Sequence, residues 1–343
     1  MAYWRAYNFV GGGSGGIHFR GLGMVLAHWE TWLVYKNFSP QALGVLGRQS
    51  EMIEYALTYG FRGLDVDMND IVTRTQRKDL DYAARYLKAA DILRTGFEAP
   101  IQLGADEAAF TTAFAKLVNM LQLAGQLEVK RAYIELPNAS ETQSYPELFD
   151  LCRERLSKIA EVAGRNDVRI GVGFRAGVDE KMKGTPFIRD VESFMALMRS
   201  IKSPHVGYIM DSWSWFVGHG GKDQLSEITG SEVVCVRLAD AAGSEDPSTM
   251  KYFDRDLPSM RGGIDHVRFL ILLKNAGYAG PVSVFPHAIT MRGRTREVIV
   301  RAAQEAIDEI LHAAGVVVPP KPMDLVHERQ DAELEAPPVA TQA

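Results

Sequence analysis

Four residues that can hold an anion or move a proton stand at the ends of short apolar segments in the C-terminal half of the sequence. Asp211 directly follows one segment, Arg237 lies near the end of another, and Arg175 and His287 lie just beyond two more. A guanidinium group donates forked hydrogen bonds to anionic or carbonyl oxygens, whereas a carboxylate and an imidazole can transfer protons. Brought together, these residues would form a pocket for acid-base chemistry on a small anionic compound.

Other side chains next to apolar segments have both a functional and a structural interpretation. His28 can act as an acid or a base, although a histidine beside Trp29 can equally form part of an amphipathic wall. Trp213 can stack on a sugar ring or pack beneath a loop. For Asp65, Asp67 and Glu135 we expect hydrogen bonds to loop amides rather than chemistry.

The elements that would position these residues alternate along the chain. From about residue 22, short apolar or β-branched runs alternate with longer amphipathic segments, a pattern typical of parallel strands covered by helices. The predicted strands are 23–27, 63–66, 100–103, 132–136, 168–174, 206–210, 233–238 and 282–285. These units predict a single α/β (β/α)₈ TIM barrel over residues 22–315, between an arm at 1–21 and a Pro/Ala/Glu-rich tail at 316–343. In such a barrel, chemistry is found at the carboxyl ends of the strands.

Composition and charge limit the classes of partner. The 343 residues include 38 basic and 43 acidic side chains without a basic stripe, so we expect no nucleic-acid partner. No run approaches the roughly 18 apolar residues of a membrane span, and we expect neither a membrane partner nor a signal peptide. The two cysteines, Cys152 and Cys235, are far apart, which indicates no disulfide framework and favours the cytoplasm. Whether the chain forms a homo-oligomer stays open.

A glycine pattern in the arm formally matches a dinucleotide-binding motif. Gly11, Gly13 and Gly16 satisfy G-x-G-x-x-G, whose glycines let backbone amides approach a pyrophosphate at the start of a helix. The residues that follow do not form a helix start, and the glycines precede the first predicted strand. We therefore interpret the tract as a flexible connection and expect no cofactor.

Four segments, VRIGVGFRAG, VGYIMDSWSW, VVCVRLADA and RDLPSMRGGIDHVRFLILLKNAGYAGPVSV, resemble the xylose isomerase-like superfamily of TIM barrels. The resemblance also covers GFRGLDVDM, so it spans most of residues 22–315. It implies a sugar isomerase, an epimerase or a related barrel. It also implies a divalent metal held by a glutamate, an aspartate, a histidine and a glutamate at the ends of strands five to eight, and an Arg255 directed toward the site.

The chain departs from that ligand pattern. Strand five has Gly173, strand six keeps Asp211, strand seven has Arg237 and strand eight has Phe285. Glycine, arginine and phenylalanine cannot ligate a metal, so we expect the usual metal site to be absent. Together with Arg175, these positions carry a net positive charge in place of the family's carboxylates. The arginines would then take over the role of the cation, and the pocket should select anions.

The favoured hypothesis is an isomerase- or epimerase-like barrel that acts, without the usual metal, on a small polar, anionic, sugar-derived or hydroxycarbonyl compound. The residues assigned to it are Arg175, Arg237, Arg255 and Trp213 for substrate binding and Asp211, His287 and His28 for proton transfer.

Two alternatives are kept. In the first, the barrel is non-catalytic and serves binding or assembly, and Arg237 pairs with Asp211 to fill the vacated metal space. In the second, the protein is a metal isomerase with relocated ligands. That relocated set is Asp65, Glu135, Asp211 and His287. A dinucleotide-dependent oxidoreductase is least favoured.

Overall fold

A parallel β-sheet forms the centre of the fold in the computed structural model, which describes residues 33–179, 182–241 and 246–318. The strands are β1 (Val34–Phe38), β2 (Gly63–Leu64), β3 (Leu93–Arg94), β4 (Phe97–Glu98), β5 (Arg131–Glu135), β6 (Ala139–Ser140), β7 (Arg169–Gly173), β8 (Thr185–Pro186), β9 (Val206–Asp211), β10 (Val233–Leu238) and β11 (Gly280–Val284). The main sheet has the order β3-β2-β1-β11-β10-β9-β7-β5-β4, and β6 and β8 form a separate antiparallel ribbon.

The sheet closes into a barrel through the segment 93–98. β3 pairs with β2 and β4 pairs with β5, and β3 and β4 are almost continuous along the chain. The amide of Thr95 donates to the carbonyl of Leu64 at 2.9 Å, and the amide of Ala99 donates to that of Tyr133 at 2.8 Å. The segment therefore acts as one barrel strand with a neighbour on each side. Within the described chain this gives eight strand positions and confirms the predicted parallel TIM barrel.

Helices alternate with the barrel strands. The α-helices are α1 (Gln49–Thr58), α2 (Met68–Arg77), α3 (Leu80–Ala89), α4 (Glu107–Gln126), α5 (Tyr145–Arg165), α6 (Val191–Ser200), α7 (Ser212–Val217), α8 (Lys222–Ser226), α9 (His266–Asn275) and α10 (Arg296–Ala313). In α4 the buried residues Leu117, Leu121 and Ala124 recur at helical spacing and form one apolar face. Among the described helices, none combines the length and the apolar character that crossing a bilayer requires.

The first and third strands differ from the sequence predictions. β1 pairs with both β2 and β11, whereas the predicted first strand at 23–27 lies outside the described residues. The predicted third strand at 100–103 is wrong, because β4 ends at Glu98 and Pro100 has no amide hydrogen to donate to a strand ladder. This correction places the carboxyl group of Glu98 at the mouth of the barrel.

Other predictions concern residues that the structure does not describe. The glycine motif at 11–16, His28 and most of the tail at 316–343 lie outside the described ranges. The assignments made for them stay predictions.

Candidate functional site

Three arginine–carboxylate pairs lie at the mouth of the barrel. Each pair joins side chains from different barrel segments, so it forms only when the sheet closes. The pairs are Arg175 with Glu135, Arg237 with Glu98, and Arg255 with Asp211. The three arginines thus lie in one region, but each guanidinium already has a carboxylate partner.

Arg255 and Asp211 form a buried pair. Asp211 ends β9, and its Oδ1 accepts the amide of Ser214 at the start of α7 (2.8 Å), which fixes the carboxylate. Arg255, in the loop after β10, donates from Nη2 to Asp211 Oδ2 at 2.5 Å and to the carbonyl of Phe285 at 2.9 Å. The two side chains are 2% and 9% exposed. The alternative pairing of Asp211 with Arg237 is therefore wrong.

Arg237 contacts Glu98 at the end of β4. Its guanidinium carbon lies 3.8 Å from the ring centroid of Phe285 and 4.9 Å from that of Tyr133. The Arg237 side chain is 5% exposed and that of Glu98 is 39% exposed. The arginine is thus a fixed, buried cation, and its partner carboxylate is the part of the pair that a ligand can reach.

The carboxyl group of Glu98 titrates near neutrality. Its withdrawal from bulk water raises its pKa to about 7; the attraction of Arg237 offsets part of this effect, and the negative charges of Asp65 and Glu135 add to it. The side chain lines a cavity at the mouth of the barrel. A carboxyl group with a pKa near the working pH is suited to act as a general acid or base.

Glu135, at the end of β5, is held by two donors. Arg175 donates to one carboxylate oxygen at 2.7 Å, and the hydroxyl of Tyr252 donates to the other at 3.2 Å. The guanidinium carbon of Arg175 also lies 4.3 Å from the ring centroid of Tyr252. Burial opposes ionisation of Glu135, but the neighbouring arginines, Arg175 first, hold its pKa below the usual range. Glu135 is therefore a fixed anion in this region.

His287 follows β11 and is half-buried. Its ring centroid lies 5.9 Å from that of Tyr252 and 4.9 Å from that of Phe253. Its Nδ1 accepts the amide of Ile289 at 3.3 Å, which assigns the proton of the neutral ring to Nε2. Burial, together with the nearby charge of Arg255, lowers the pKa of His287. At neutral pH the imidazole is uncharged and can donate from Nε2.

Of the three carboxylates expected to bind backbone amides, Asp67 does so, accepting the amides of Asn69 and Asp70 on Oδ1, whereas Asp65 and Glu135 do not. Asp65 accepts hydrogen bonds from the side chains of Asn37 (3.1 Å) and Ser39. Burial raises the pKa of Asp65, although these two donors oppose the shift. Asp65 and Glu135 have side-chain partners because the ends of neighbouring strands lie next to each other in the closed sheet.

A cavity of about 310 Å³ opens among these groups. Its polar lining includes Glu98, Glu135, Arg175, Arg237, Tyr252 and His287.

Trp213 is 1% exposed and packs edge-on against Tyr252, with ring centroids 5.8 Å apart. Of its two interpretations, packing beneath a loop is correct, and the assignment of Trp213 to substrate binding is wrong.

The expected excess of positive charge is absent from the described mouth. The carboxylates of Asp65, Glu98, Glu135 and Asp211 accompany the three arginines. The mouth therefore carries one net negative charge when all these groups are ionised, and none when Glu98 is protonated. The sequence estimate was wrong because it counted neither Glu98 nor Glu135. Tyr252 was also missed, since nothing in its local sequence marks it.

The residues at the four implied ligand positions do not fit a divalent metal. Gly173 has no side chain, the carboxylate of Asp211 is bound by Arg255, and Arg237 places a cation over the ring of Phe285. Within the described ranges, no group of three or more histidine, cysteine, aspartate or glutamate side chains is placed to hold an ion. The same finding contradicts the alternative of a metal isomerase with relocated ligands. Those ligands would have been Asp65, Glu135, Asp211 and His287.

We expect metals and chelators to leave the stability of the protein unchanged. A bound ion whose free concentration is one hundred times its dissociation constant would add about 2.7 kcal/mol to the free energy of unfolding. This corresponds to a Tm rise of several degrees. Thermal melts with Mn²⁺, Mg²⁺, Zn²⁺ or EDTA should therefore coincide. A concentration-dependent rise, or about one ion per chain by elemental analysis, would contradict the expectation.

Comparisons with known proteins agree with the architecture. The model of the xylose isomerase-like TIM barrel family matches residues 53–312. A xylose isomerase domain protein from Alicyclobacillus acidocaldarius has a TM-score of 0.72 at 20% identity, over 82% of this chain and 99% of its own. D-psicose 3-epimerase from Clostridium cellulolyticum H10 has a TM-score of 0.62 at 15% identity, over 78% of this chain and 94% of its own. 3-keto-D-glucoside 4-epimerase from E. coli has a TM-score of 0.61 at 13% identity, over 82% of this chain and 100% of its own. No curated protein matches the sequence.

Proposed function

Because the chain belongs to the xylose isomerase-like TIM barrel family, we propose that it isomerises or epimerises a small polar, sugar-derived or hydroxycarbonyl compound by proton transfer, without the usual metal. The observation that carries this proposal is the position of Glu98. Its carboxyl group has a pKa of about 7, lines the cavity, and lies beside a buried guanidinium. These are the properties of a general base placed next to a group that stabilises negative charge.

The cavity supplies each part of such a reaction. The carboxylate of Glu98 takes the proton from a carbon next to the substrate carbonyl, and the electron pair of that C–H bond moves onto the carbonyl oxygen. Arg237 and Arg175 stabilise the negative charge that develops there. For isomerisation, Glu98 returns its proton to the former carbonyl carbon, while the hydroxyl proton of the neighbouring carbon moves through Nε2 of His287 to the former carbonyl oxygen. For epimerisation, Nε2–H of His287 protonates the same carbon from the opposite face, and the proton held by Glu98 then passes to His287.

We extend the proposal to acidic substrates bound at Arg175. Of the three arginines it has the most exposed side chain, 34%, against 5% for Arg237 and 2% for Arg255. It also lines the cavity. A substrate carboxylate can therefore share its forked donors with Glu135, which the two deeper arginines do not allow.

The test is hydrogen exchange in D₂O. The protein is incubated with D-glucose, D-fructose and D-galacturonate, and loss of the ¹H signal at the carbon next to the carbonyl is followed by NMR. We expect enzyme-dependent exchange, and we expect Arg175→Ala to slow it for all three sugars and most for the uronate, which loses both the oxyanion contact and the carboxylate contact. Heat-denatured protein is the control. Binding of these sugars without any exchange would refute the catalytic proposal.

A non-catalytic binding barrel is the second candidate. The observation that favours it is the Asp211–Arg255 pair, which occupies the one metal-ligand position that the chain retains. In that case the sugars would raise the Tm but show no exchange, and Glu98→Gln would leave the Tm shift intact.

A further inference from the structure

A second and larger cleft continues outward from the candidate site. Its volume is about 690 Å³, more than twice that of the first cavity. Both are lined by Glu98, Glu135 and Arg175, so the two spaces adjoin at these side chains. The first cavity alone lies at the lower end of the range of roughly 300–1,000 Å³ for small-molecule sites. Taken together, the adjoining spaces have the volume for a ligand that extends beyond one reacting unit.

One wall of this outer cleft is the loop between β4 and α4, which is held in place by hydrogen bonds from α5. Arg155 of α5 donates from Nη1 to the carbonyls of Leu103 (2.8 Å) and Ala105 (2.6 Å). The Arg155 side chain is 5% exposed, and its guanidinium carbon lies 4.0 Å from the ring centroid of Phe110. A buried, charge-assisted contact of this kind holds the loop in one conformation.

A second part of the lining, the loop after β5, is tied to the antiparallel ribbon of β6 and β8. The carbonyl of Asn138 accepts the amide of Phe187 at 2.9 Å, which joins the loop after β5 to the chain that follows β8. The side-chain amide of Asn138 donates to Asp179 at 3.2 Å. Both parts of the lining are therefore held in place without a ligand, as is usual for small-molecule sites.

The lining of the outer cleft favours a neutral polyhydroxylated ligand. Beyond the three shared residues, it presents uncharged donors and acceptors together with a few charges of both signs. The uncharged polar side chains are Gln102, Tyr133, Asn138, Ser140 and Thr142. The charged ones are Glu141, Asp179 and Lys183. Among the described residues, this lining lacks the cluster of cations that a phosphate or nucleotide requires, and amides and hydroxyls match the alternating donors and acceptors of a sugar ring.

We infer that the outer cleft is a subsite for a second, neutral sugar unit, linked to the unit that reacts at Glu98. The substrate class is then a disaccharide-sized glycoside rather than a free monosaccharide. This inference rests on the proposed function, because it places the reacting unit at Glu98. Gln102 is a contact residue of the subsite: it is exposed to the cleft, and its side-chain amide has no hydrogen-bond partner within the described chain.

Matched sugars of two lengths test the subsite. Dissociation constants are measured by titration for D-glucose and maltose and for D-fructose and lactulose, two pairs in which the added sugar unit is neutral. We expect at least one disaccharide to bind about tenfold more tightly than its monosaccharide. Gln102→Ala should weaken that disaccharide about three- to tenfold, the effect of one lost hydrogen bond, and leave the monosaccharide unchanged. Gln122→Ala, at an exposed position of α4, is the matched control and should change neither constant.

The outcomes separate this inference from the proposal on which it rests. If monosaccharides bind and exchange hydrogen but no disaccharide binds more tightly, the subsite is refuted and the proposed function stands. An equal effect of Gln102→Ala on both lengths, or equal effects of the Gln102 and Gln122 variants, also refutes it. If no sugar of either length binds, both the function and the subsite are overturned.

Discussion

Replacing Arg255 by methionine should lower the free energy of unfolding by about 3 to 5 kcal/mol, as expected when one partner of a buried ion pair is removed. Asp211 would remain buried with only the amide of Ser214 as a donor, and the carbonyl of Phe285 would lose its partner. Methionine keeps most of the side-chain length, so the loss reports the charge rather than a cavity. Urea denaturation of the wild type and the variant measures the difference.

Two further variants give this measurement its controls. Arg165→Met removes an exposed i,i+4 pair with Glu161, in which the arginine is 69% exposed, and should cost at most about 1 kcal/mol. The double variant Asp211→Asn, Arg255→Met should recover part of the loss, because no unpaired charge stays buried. If Arg255→Met is no more destabilising than Arg165→Met, the buried pair does not stabilise the mouth in solution.

Glu98→Gln should slow enzyme-dependent hydrogen exchange by about 10²- to 10⁴-fold, the usual contribution of a general base. Only the ionised carboxylate accepts a proton, so the wild-type rate should rise with pH around a midpoint of about 7 and then level off. The glutamine variant should lack this rise. Glu154→Gln, at an exposed position of α5, is the matched control. An unchanged rate in Glu98→Gln would assign the base to another residue.

The pH dependence of the stability of the Glu98→Gln variant tests the raised pKa of Glu98 without any substrate. The pKa of Glu98 lies at about 7 in the folded protein against 4.5 for an ordinary glutamate. Between these values the folded state binds more protons than the unfolded state, so the contribution of Glu98 to stability falls as pH rises through this interval. Glu98→Gln should remove that part of the pH dependence. Denaturation curves at several pH values should show similar stabilities for the two proteins below about pH 4.5, and the wild type should lose stability relative to Glu98→Gln as the pH rises to about 7.

The sequence by itself predicted most of the barrel, because long apolar runs and their spacing are local properties. The strand predicted at 233–238 is observed as Val233–Leu238, and those at 132–136 and 168–174 are found within one residue at each end. Their identity as parallel strands follows from the helical segments between them. The same local pattern correctly put Asp211 and Arg237 at the carboxyl ends of strands.

The third barrel strand could not be predicted in the same way, although the second, predicted at 63–66, is observed as Gly63–Leu64. The third strand consists of two pieces of two residues each, Leu93–Arg94 and Phe97–Glu98. Two residues carry no periodicity, and their pairing depends on partners that lie elsewhere in the chain. Because the third strand was predicted in the wrong place, Glu98 was left outside the predicted site.

The sequence therefore determined that arginines and carboxylates would gather at one end of a barrel, and only the tertiary structure decided which would pair. Arg237 and Glu98 are separated by 139 positions, and Arg255 and Asp211 by 44. Several carboxylates have the right charge for each guanidinium, so residue type does not select among them. Closure of the sheet selects the partner, because it fixes which strand ends are neighbours and how much water each pair retains. That same loss of water sets the pKa of Glu98, so its ability to act as a base is a property of the fold.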